Sequence, residues 1–126
     1  MARPRVLIVE DEIIAGMNLQ ALCERWGFLV CPLVTSAEEA VAVAEDERPD
    51  IILMDISLHG SMDGIQAAEL IRRRAETPIL FMSGYSDEQI LERVRAVEHS
   101  VHILKPLDFK GLQRIMGLLL CDGGPR

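Results

Sequence analysis

Short aliphatic runs alternate with longer helical stretches along this chain, and the alternation constrains the fold more than any other feature. Runs rich in Val, Ile and Leu are typical of strands that are buried on both faces of a parallel sheet. Such runs lie at Val6–Val9, Phe28–Val34, Ile51–Met54, Ile79–Met82 and Val101–Leu104. The sequence therefore predicts strands that are joined by helical crossovers.

The first two intervening stretches have the spacing and the start signals of helices. In the first, Ile14, Met17, Ala21 and Leu22 recur at three- and four-residue intervals, which predicts an apolar helix face and an end near Trp26–Gly27. The second opens at Ser36 with Glu39 three residues later. This spacing is that of a capping box.

The third and fourth helices also have signals at their amino-terminal ends. The third is predicted to follow Asp63–Gly64, with Ile65, Ala68 and Ile71 on one side. The fourth is predicted to start at Ser86, with Gln89 completing another capping box. Each helix would cross from one strand to the next.

The fifth helix is predicted after Pro106, with Asp108 as its cap and the tail 121–126 frayed. Its buried residues are predicted to be Phe109, Leu112, Ile115 or Met116, and Leu119. The helix is also more apolar than one buried face requires, so a homodimer or partner surface is expected on it, at Ile115, Met116, Leu118, Leu119 and Leu120.

The order βαβαβαβαβα predicts one α/β domain over residues 1–126, with a doubly wound parallel sheet of five strands. The natural strand order is the flavodoxin-like 2-1-3-4-5. In such a sheet a ligand site is expected beyond the carboxyl ends of the first and third strands.

Composition and charge limit the classes of function. The formal net charge is −7, which argues against direct nucleic-acid binding. The three cysteines have no framework or metal-site spacing, which predicts reduced thiols in the cytoplasm. No apolar stretch is long enough to predict a membrane span or a signal peptide.

Polar residues follow four of the predicted strands where each strand ends. Glu10–Asp11–Glu12 follow the first strand, Asp55 the third, Ser83 the fourth and Lys105 the fifth. Each residue alone also has an ordinary structural explanation as a helix cap or a loop residue. Their conjunction at one edge of the sheet indicates a site.

The acidic members of this set call for a counter-charge. Two carboxylates about 4 Å apart repel by roughly 4 kcal/mol at an effective dielectric of 20. Glu10, Asp11 and Asp55 would form such a cluster, and Lys105 alone cannot balance it. Oxygen ligands without His or Cys select a hard cation, so Mg²⁺ is predicted there.

On these residues the sequence resembles the response-regulator receiver domain of bacterial two-component systems. The resemblance covers essentially the whole chain, which favours a stand-alone receiver. Its matching segments are VLIVEDE (Val6–Glu12), PDIILMDISL (Pro49–Leu58), MDGIQAA (Met62–Ala68), PILFMSGYSD (Pro78–Asp87) and ILKPL (Ile103–Leu107).

The resemblance assigns the metal and phosphoryl-accepting roles. Asp55 is implied to be the phosphoacceptor. Glu10 and Asp11 are implied to hold Mg²⁺ together with Asp55 and the backbone carbonyl of Ser57.

It also assigns the residues that contact the phosphoryl group. The hydroxyl of Ser83 is implied to bind it, and Lys105, joined to Pro106 by a cis peptide bond, to pair with its oxygens.

A signalling switch is the implied function, not a conventional enzyme. The donor would be a phosphohistidine of a sensor histidine kinase or a phosphotransfer protein. Phosphorylation would alter the face made by the fourth helix, fifth strand and fifth helix. That face would regulate a downstream protein or support a homodimer.

Several positions depart from the family pattern. His102 stands where Tyr or Phe is usual, and we expect it to influence partner choice. Tyr85 follows Ser83 closely, as in a proteobacterial subgroup with the pattern F-x-[ST]-G-x-Y, and is expected to slow self-dephosphorylation. Glu10 is longer than the usual aspartate, and His59 in the loop after Asp55 is either a metal ligand or an exposed histidine.

Three alternatives have features that the sequence can weigh. A pseudo-receiver that only binds partners would not need Asp55, Ser83 and Lys105 together. A haloacid-dehalogenase-type phosphatase would need a second aspartate two residues after its nucleophile, where this chain has Ser57. A flavodoxin would need a hydroxyl-rich phosphate loop after the first strand.

Overall fold

The computed structural model describes residues 3–84 and 87–122 and has the predicted α/β architecture. Its five parallel strands have the order β2-β1-β3-β4-β5, which confirms the predicted topology. The elements are β1 (Arg5–Val9), α1 (Ile13–Arg25), β2 (Leu29–Val30), α2 (Ala37–Glu47), β3 (Ile51–Asp55), α3 (Gly64–Arg72), β4 (Ile79–Ser83), α4 (Glu88–Arg95), β5 (Ser100–Leu104) and α5 (Phe109–Asp122).

Helices cover both faces of the sheet and form two apolar cores. On one face, Met54 and Phe81 pack with apolar residues of α2, α3 and α4. On the other, Leu53 and Met82 pack with residues of α1 and α5. Successive side chains of a strand point to opposite faces, and both faces of this sheet are covered. Every residue of β3 and β4 is therefore buried.

The apolar spacing of α1 does not mark the face that packs on the sheet. Ile14 and Met17 are 76% and 56% exposed, whereas Gly16, Leu19 and Cys23 are buried. The helix has apolar residues at helical spacing on two sides, and periodicity alone does not decide which side faces the sheet. One apolar side of α1 therefore faces solvent.

Strand β2 is shorter than predicted. The aliphatic run Phe28–Val34 contains a regular strand only at Leu29–Val30, and Val34 makes an isolated bridge to Val9. Pro32 lies between these two paired segments. Proline has no backbone N–H and interrupts a ladder of hydrogen bonds, which accounts for the break.

Helix starts follow the capping signals with one correction. Ser36 caps α2 by accepting the backbone N–H of Glu39 at 3.1 Å, as predicted. The cap of α4 is Asp87, which accepts the N–H of Ile90 at 2.9 Å, so the predicted start at Ser86 is wrong. Ser86 itself lies outside the described residues. A carboxylate next to the predicted serine offered an equally good cap.

Helix α5 begins where the sequence indicates, because the carbonyl of Asp108 accepts the N–H of Leu112 at 2.8 Å. Leu112 and Met116 are buried, but Phe109 is 47% exposed, contrary to the prediction. The helix continues to Asp122, so the fraying predicted from residue 121 is wrong for Cys121 and Asp122. Residues 123–126 lie outside the described part of the chain. Within the part that is described, no helix has the length and apolar character needed to cross a bilayer.

An ion pair joins α4 to the start of α3. Both terminal nitrogens of Arg93 contact the carboxylate of Asp63, at 2.9 and 3.0 Å. Asp63 is also the N-cap of α3, where it accepts the N–H of Gln66 at 2.9 Å. The fork of an arginine fits a carboxylate with both oxygens, so this contact fixes direction as well as distance.

Glycine at position 64 allows α3 to approach the end of β3. A Cβ atom on Gly64 would lie 2.1 Å from the carbonyl oxygen of Asp55 and 3.0 Å from the Cα of Ile56. Both are backbone atoms of a buried strand end and cannot move aside cheaply. The absence of a side chain at Gly64 therefore sets how closely α3 packs against Asp55.

We expect Gly64→Ala to lower the free energy of unfolding by about 2 kcal/mol or more, because the new methyl group overlaps backbone. Gly117→Ala is the matched control, since Gly117 lies in α5 with nothing within 4 Å of its Cβ position. Alanine there should stabilise the helix by roughly 0.5–1 kcal/mol. Denaturant unfolding measures both changes. Equal stabilities of the two variants would contradict the close approach.

Candidate functional site

The polar residues that follow the strands converge at the carboxyl edge of the sheet. Glu10 follows β1, Asp55 and Ser83 end β3 and β4, and Lys105 follows β5. Glu10, Asp55 and Ser83 are only 1%, 4% and 2% exposed. Buried carboxylates are costly without partners, so the contacts of Glu10 and Asp55 define the site.

Lys105 bridges the two buried carboxylates. Its Nζ lies 3.2 Å from Oε1 of Glu10 and 3.2 Å from Oδ2 of Asp55. Backbone groups hold the opposite oxygens, because Ser57 N–H donates to Oδ1 of Asp55 at 3.0 Å and Glu12 N–H donates to Oε2 of Glu10 at 3.2 Å. Both carboxylates are therefore held in fixed orientations.

Asp11 completes an acidic cluster with Glu10 and Asp55. One carboxylate oxygen from each residue lies within 4.8 Å of the others. Closely spaced hard oxygens with a net negative charge fit a divalent cation such as Mg²⁺. Ser57 lies beside this cluster through its N–H, and the role of its carbonyl as a ligand stays a prediction.

Burial and the neighbouring negative charge both affect the ionisation of Glu10. Burial, together with the hydrogen bond and the charge of Asp55, raises the pKa of Glu10 to about 7. Burial alone would lower the pKa of Lys105, but Asp55 and Glu10 outweigh it and the pKa is raised. One positive charge does not balance the cluster, so the donor set favours an additional cation.

His59 contacts the acidic cluster from outside. Its ring Nδ1 and its backbone N–H both contact Oδ2 of Asp11, the backbone contact at 3.2 Å, although the ring is 93% exposed. His59 is not among the residues whose atoms cluster with Glu10 and Asp55. The structure thus places the histidine beside a carboxylate of the cluster, a contact that the sequence could not show.

Ser83 and His102 are linked directly. Oγ of Ser83 lies 2.7 Å from Nε2 of the imidazole, and burial lowers the pKa of His102. The peptide bond between Lys105 and Pro106 is cis, as the resemblance implied. Tyr85 lies outside the described residues. The notable addition to the predicted site is therefore the Ser83–His102 contact.

Two contributors to the site were missed by sequence reasoning. Gly64 packs against the backbone of Asp55, and Arg93 holds Asp63 at the start of the next helix. A glycine in the first turn of a helix was a usable signal for Gly64. No signal in the sequence pairs Arg93 with Asp63, because the contact depends on how two helices pack.

Comparison with known proteins agrees with this geometry. The family model described as "Response regulator receiver domain" matches residues 6–116. The transcriptional regulatory protein PdtaR of Mycobacterium tuberculosis is 32% identical over 108 residues, which cover 86% of this chain and 52% of PdtaR. The transcriptional activator IrlR of Burkholderia pseudomallei is 36% identical over 124 residues, or 97% of this chain and 52% of IrlR. The chain thus spans about half the length of these relatives.

A solved structure shows the same likeness. The receiver domain of the sensor histidine kinase PA1611 from Pseudomonas aeruginosa has a TM-score of 0.85 and 28% identity, and the match covers 96% of this chain and all of that one. That structure has a magnesium ion coordinated in the active site cleft. The family model, the relatives and the acidic cluster lead to one conclusion. This chain belongs to the response regulator receiver domain family.

Proposed function

We propose that this receiver is a phosphorylation switch in which Asp55 accepts a phosphoryl group from a phosphohistidine. The observation that carries the proposal is the buried Asp55 carboxylate held between Lys105 and the Ser57 N–H, inside an acidic cluster. An Asp55 oxygen attacks phosphorus, an O–P bond forms, the P–N bond breaks, and the electron pair returns to the donor imidazole. Such transfer depends mainly on positioning and charge stabilisation.

The residues around Asp55 supply the positioning. The Ser57 N–H fixes one oxygen of Asp55, and Lys105 lies 3.2 Å from the other, where its positive charge would stabilise the oxygens of the phosphoryl group. Ser83 lies at the end of the adjacent strand and would donate its hydroxyl to a phosphoryl oxygen. Glu10, Asp11, Asp55 and the Ser57 carbonyl would hold Mg²⁺, and the bound ion would neutralise repulsion between the carboxylate and the incoming phosphoryl group.

Two alternatives have less support. A pseudo-receiver that acts without phosphorylation would not require the contacts among Lys105, Glu10 and Asp55. A haloacid-dehalogenase-type phosphatase would need an aspartate two residues after its nucleophile, where this chain has Ser57. Receiver domains are signalling modules in general, and this chain would catalyse only its own phosphorylation and dephosphorylation.

The proposed partners are a sensor histidine kinase or phosphotransfer protein as donor and a regulatory protein as target. The output surface would be the α4-β5-α5 face, where Leu104 and Leu118 are 51% and 55% exposed. The same face is the proposed site of a homodimer. Ile115 and Leu119 are partly buried against the core, so fewer residues of α5 serve this face than the sequence suggested. The proposed location is the cytoplasm.

The exposed apolar side of α1 is the proposed contact for the phosphoryl donor. Ile13 and Ile14 are 53% and 76% exposed and follow the acidic residues directly along the chain. A donor that presents its phosphohistidine to Asp55 must cover the rim of the site. Apolar side chains at that rim would strengthen the contact.

We expect Asp55→Asn to abolish labelling by acetyl phosphate in the presence of Mg²⁺, because an amide is not a nucleophile toward phosphorus. Asp46→Asn is the control, since Asp46 lies on α2 away from the cluster and should label like the parent. Phosphate-affinity electrophoresis or intact-mass spectrometry measures the adduct. Equal labelling of Asp55→Asn and the parent would place the phosphoryl group elsewhere.

We expect the rise in melting temperature caused by Mg²⁺ to be about 5 °C larger at pH 8 than at pH 5.5. The folded protein holds the Glu10 proton up to a pKa of about 7, above the ordinary 4.5. The contribution of protonated Glu10 to the free energy of unfolding is therefore fully present below pH 4.5 and is lost as the pH rises through 7. Cation binding needs the charged carboxylate and restores stability at high pH. Calorimetry measures the effect.

Glu10→Gln provides the matched control for this pH dependence. The amide keeps the size of the side chain but does not titrate, so the Mg²⁺-dependent gain should become small at both pH values. A gain in the parent that is independent of pH between 5.5 and 8 would show that Glu10 does not govern cation binding.

We expect Ile14→Glu to slow phosphotransfer from the cognate kinase by about tenfold, which corresponds to roughly 1.4 kcal/mol of lost contact. Labelling by acetyl phosphate should stay unchanged, because this small donor does not need the α1 surface. Leu29→Glu on β2 is the control, as Leu29 is 42% exposed at the amino-terminal end of the sheet. A similar loss in both variants would exclude a specific α1 contact.

A further inference from the structure

The sheet register places His102 and Ser83 on the same face. Phe81 pairs with His102, and Ser83 pairs with Leu104, so His102 and Ser83 are diagonal neighbours on adjacent strands. Phe81 belongs to the core that α4 helps to form, which identifies the face. Diagonal neighbours lie within reach of each other when one side chain is long. The imidazole of His102 is long enough to cover the distance between the two positions and to contact the hydroxyl of Ser83.

The contact between the two side chains is a short hydrogen bond in a protected setting. Oγ and Nε2 are 2.7 Å apart, Ser83 is 2% exposed and His102 is partly buried. Burial lowers the pKa of His102, which favours the neutral ring near pH 7. A neutral imidazole has one nitrogen that accepts a hydrogen bond. Nε2 is therefore a competent acceptor for the serine hydroxyl.

We infer that His102 is a positioning residue that accepts the Ser83 hydroxyl in the unphosphorylated protein, and that phosphorylation of Asp55 exchanges this hydrogen bond for one to the phosphoryl group. This inference rests on the proposed function of Asp55. It assigns His102 a role that an aromatic side chain without an acceptor nitrogen does not perform.

The direction of the exchange follows from hydrogen-bond chemistry. A hydroxyl has one proton, so Ser83 cannot donate to Nε2 and to a phosphoryl oxygen at once. A charged acceptor forms a hydrogen bond about twice as strong as a neutral one, so the phosphoryl oxygen takes the proton donor from the imidazole. Nε2 is then left without the serine in a partly buried place. The ring regains a favourable state by changing tautomer or moving toward solvent on the β5 surface.

Nitrogen-15 NMR of the imidazoles tests the inference directly. The chain has three histidines, and His102→Gln identifies the signals of His102. In the unphosphorylated protein the ring proton of His102 should be on Nδ1, because Nε2 accepts from Ser83. Ser83→Ala should shift the population toward the Nε2–H form, which free histidine prefers. A ring proton on Nε2 in the parent protein would overturn the inference.

Beryllofluoride with Mg²⁺ then serves as the probe for the phosphorylated state, and fluorine NMR reports whether it binds. If it binds and the His102 signals move to those of Ser83→Ala, the exchange is supported. If it binds and those signals stay unchanged, the inference is overturned while the proposed function of Asp55 stands. If the parent protein binds no beryllofluoride, the proposed function fails and the inference fails with it.

The affinity for beryllofluoride gives a second test that structural damage would not imitate. His102→Phe keeps a ring but removes the acceptor, so the hydrogen bond to position 102 no longer has to be given up and binding should tighten by about fivefold. His102→Gln keeps an acceptor and should remain within about twofold of the parent. Weaker or unchanged binding in His102→Phe would overturn the inference, because a merely structural role predicts loss and not gain.

Discussion

The structure depends on a balance of charge between Glu10, Asp55 and Lys105. Two carboxylates buried side by side repel each other, and a single ammonium group at 3.2 Å from each offsets only part of that repulsion. Burial of Glu10, together with its hydrogen bond to Asp55 and the charge of Asp55, raises the pKa of Glu10. The fold supports this unfavourable cluster because β1 and β3 are neighbours whose residues are locked by buried cores on both faces. The same excess of negative charge makes the site receptive to a cation.

Most of the architecture follows from local patterns that the sequence displays openly. The aliphatic runs at β1, β3, β4 and β5 alternate with helices, and this pattern indicates a parallel sheet that helices cover on both faces. The convergence of Glu10, Asp55 and Lys105 at the strand ends could therefore be predicted from the sequence. Predictions from the sequence were wrong where two local structures were equally plausible. The two apolar sides of α1 and the neighbouring capping residues at the start of α4 are such cases, and packing decided each one.

Contacts between distant residues account for the rest. His59 reaches Asp11 across 48 positions and His102 reaches Ser83 across 19, and neither pair shares a motif. Both histidines stand at departures from the family pattern, so the sequence identified the positions but not their partners. Gly64 illustrates the converse case, since a familiar motif contained it while its reason, the backbone of Asp55, became visible only in three dimensions.

The Arg93–Asp63 ion pair has a mechanical consequence for α4. Asp63 caps α3, whose first residue rests on the backbone of Asp55, and Arg93 is part of α4. The pair therefore ties α4 to the segment that leaves the site. Two charged contacts with fixed direction resist small displacements and break together when the displacement is large. A shift of α4 away from α3 would have to separate the guanidinium from the carboxylate, so both contacts would be lost in one step.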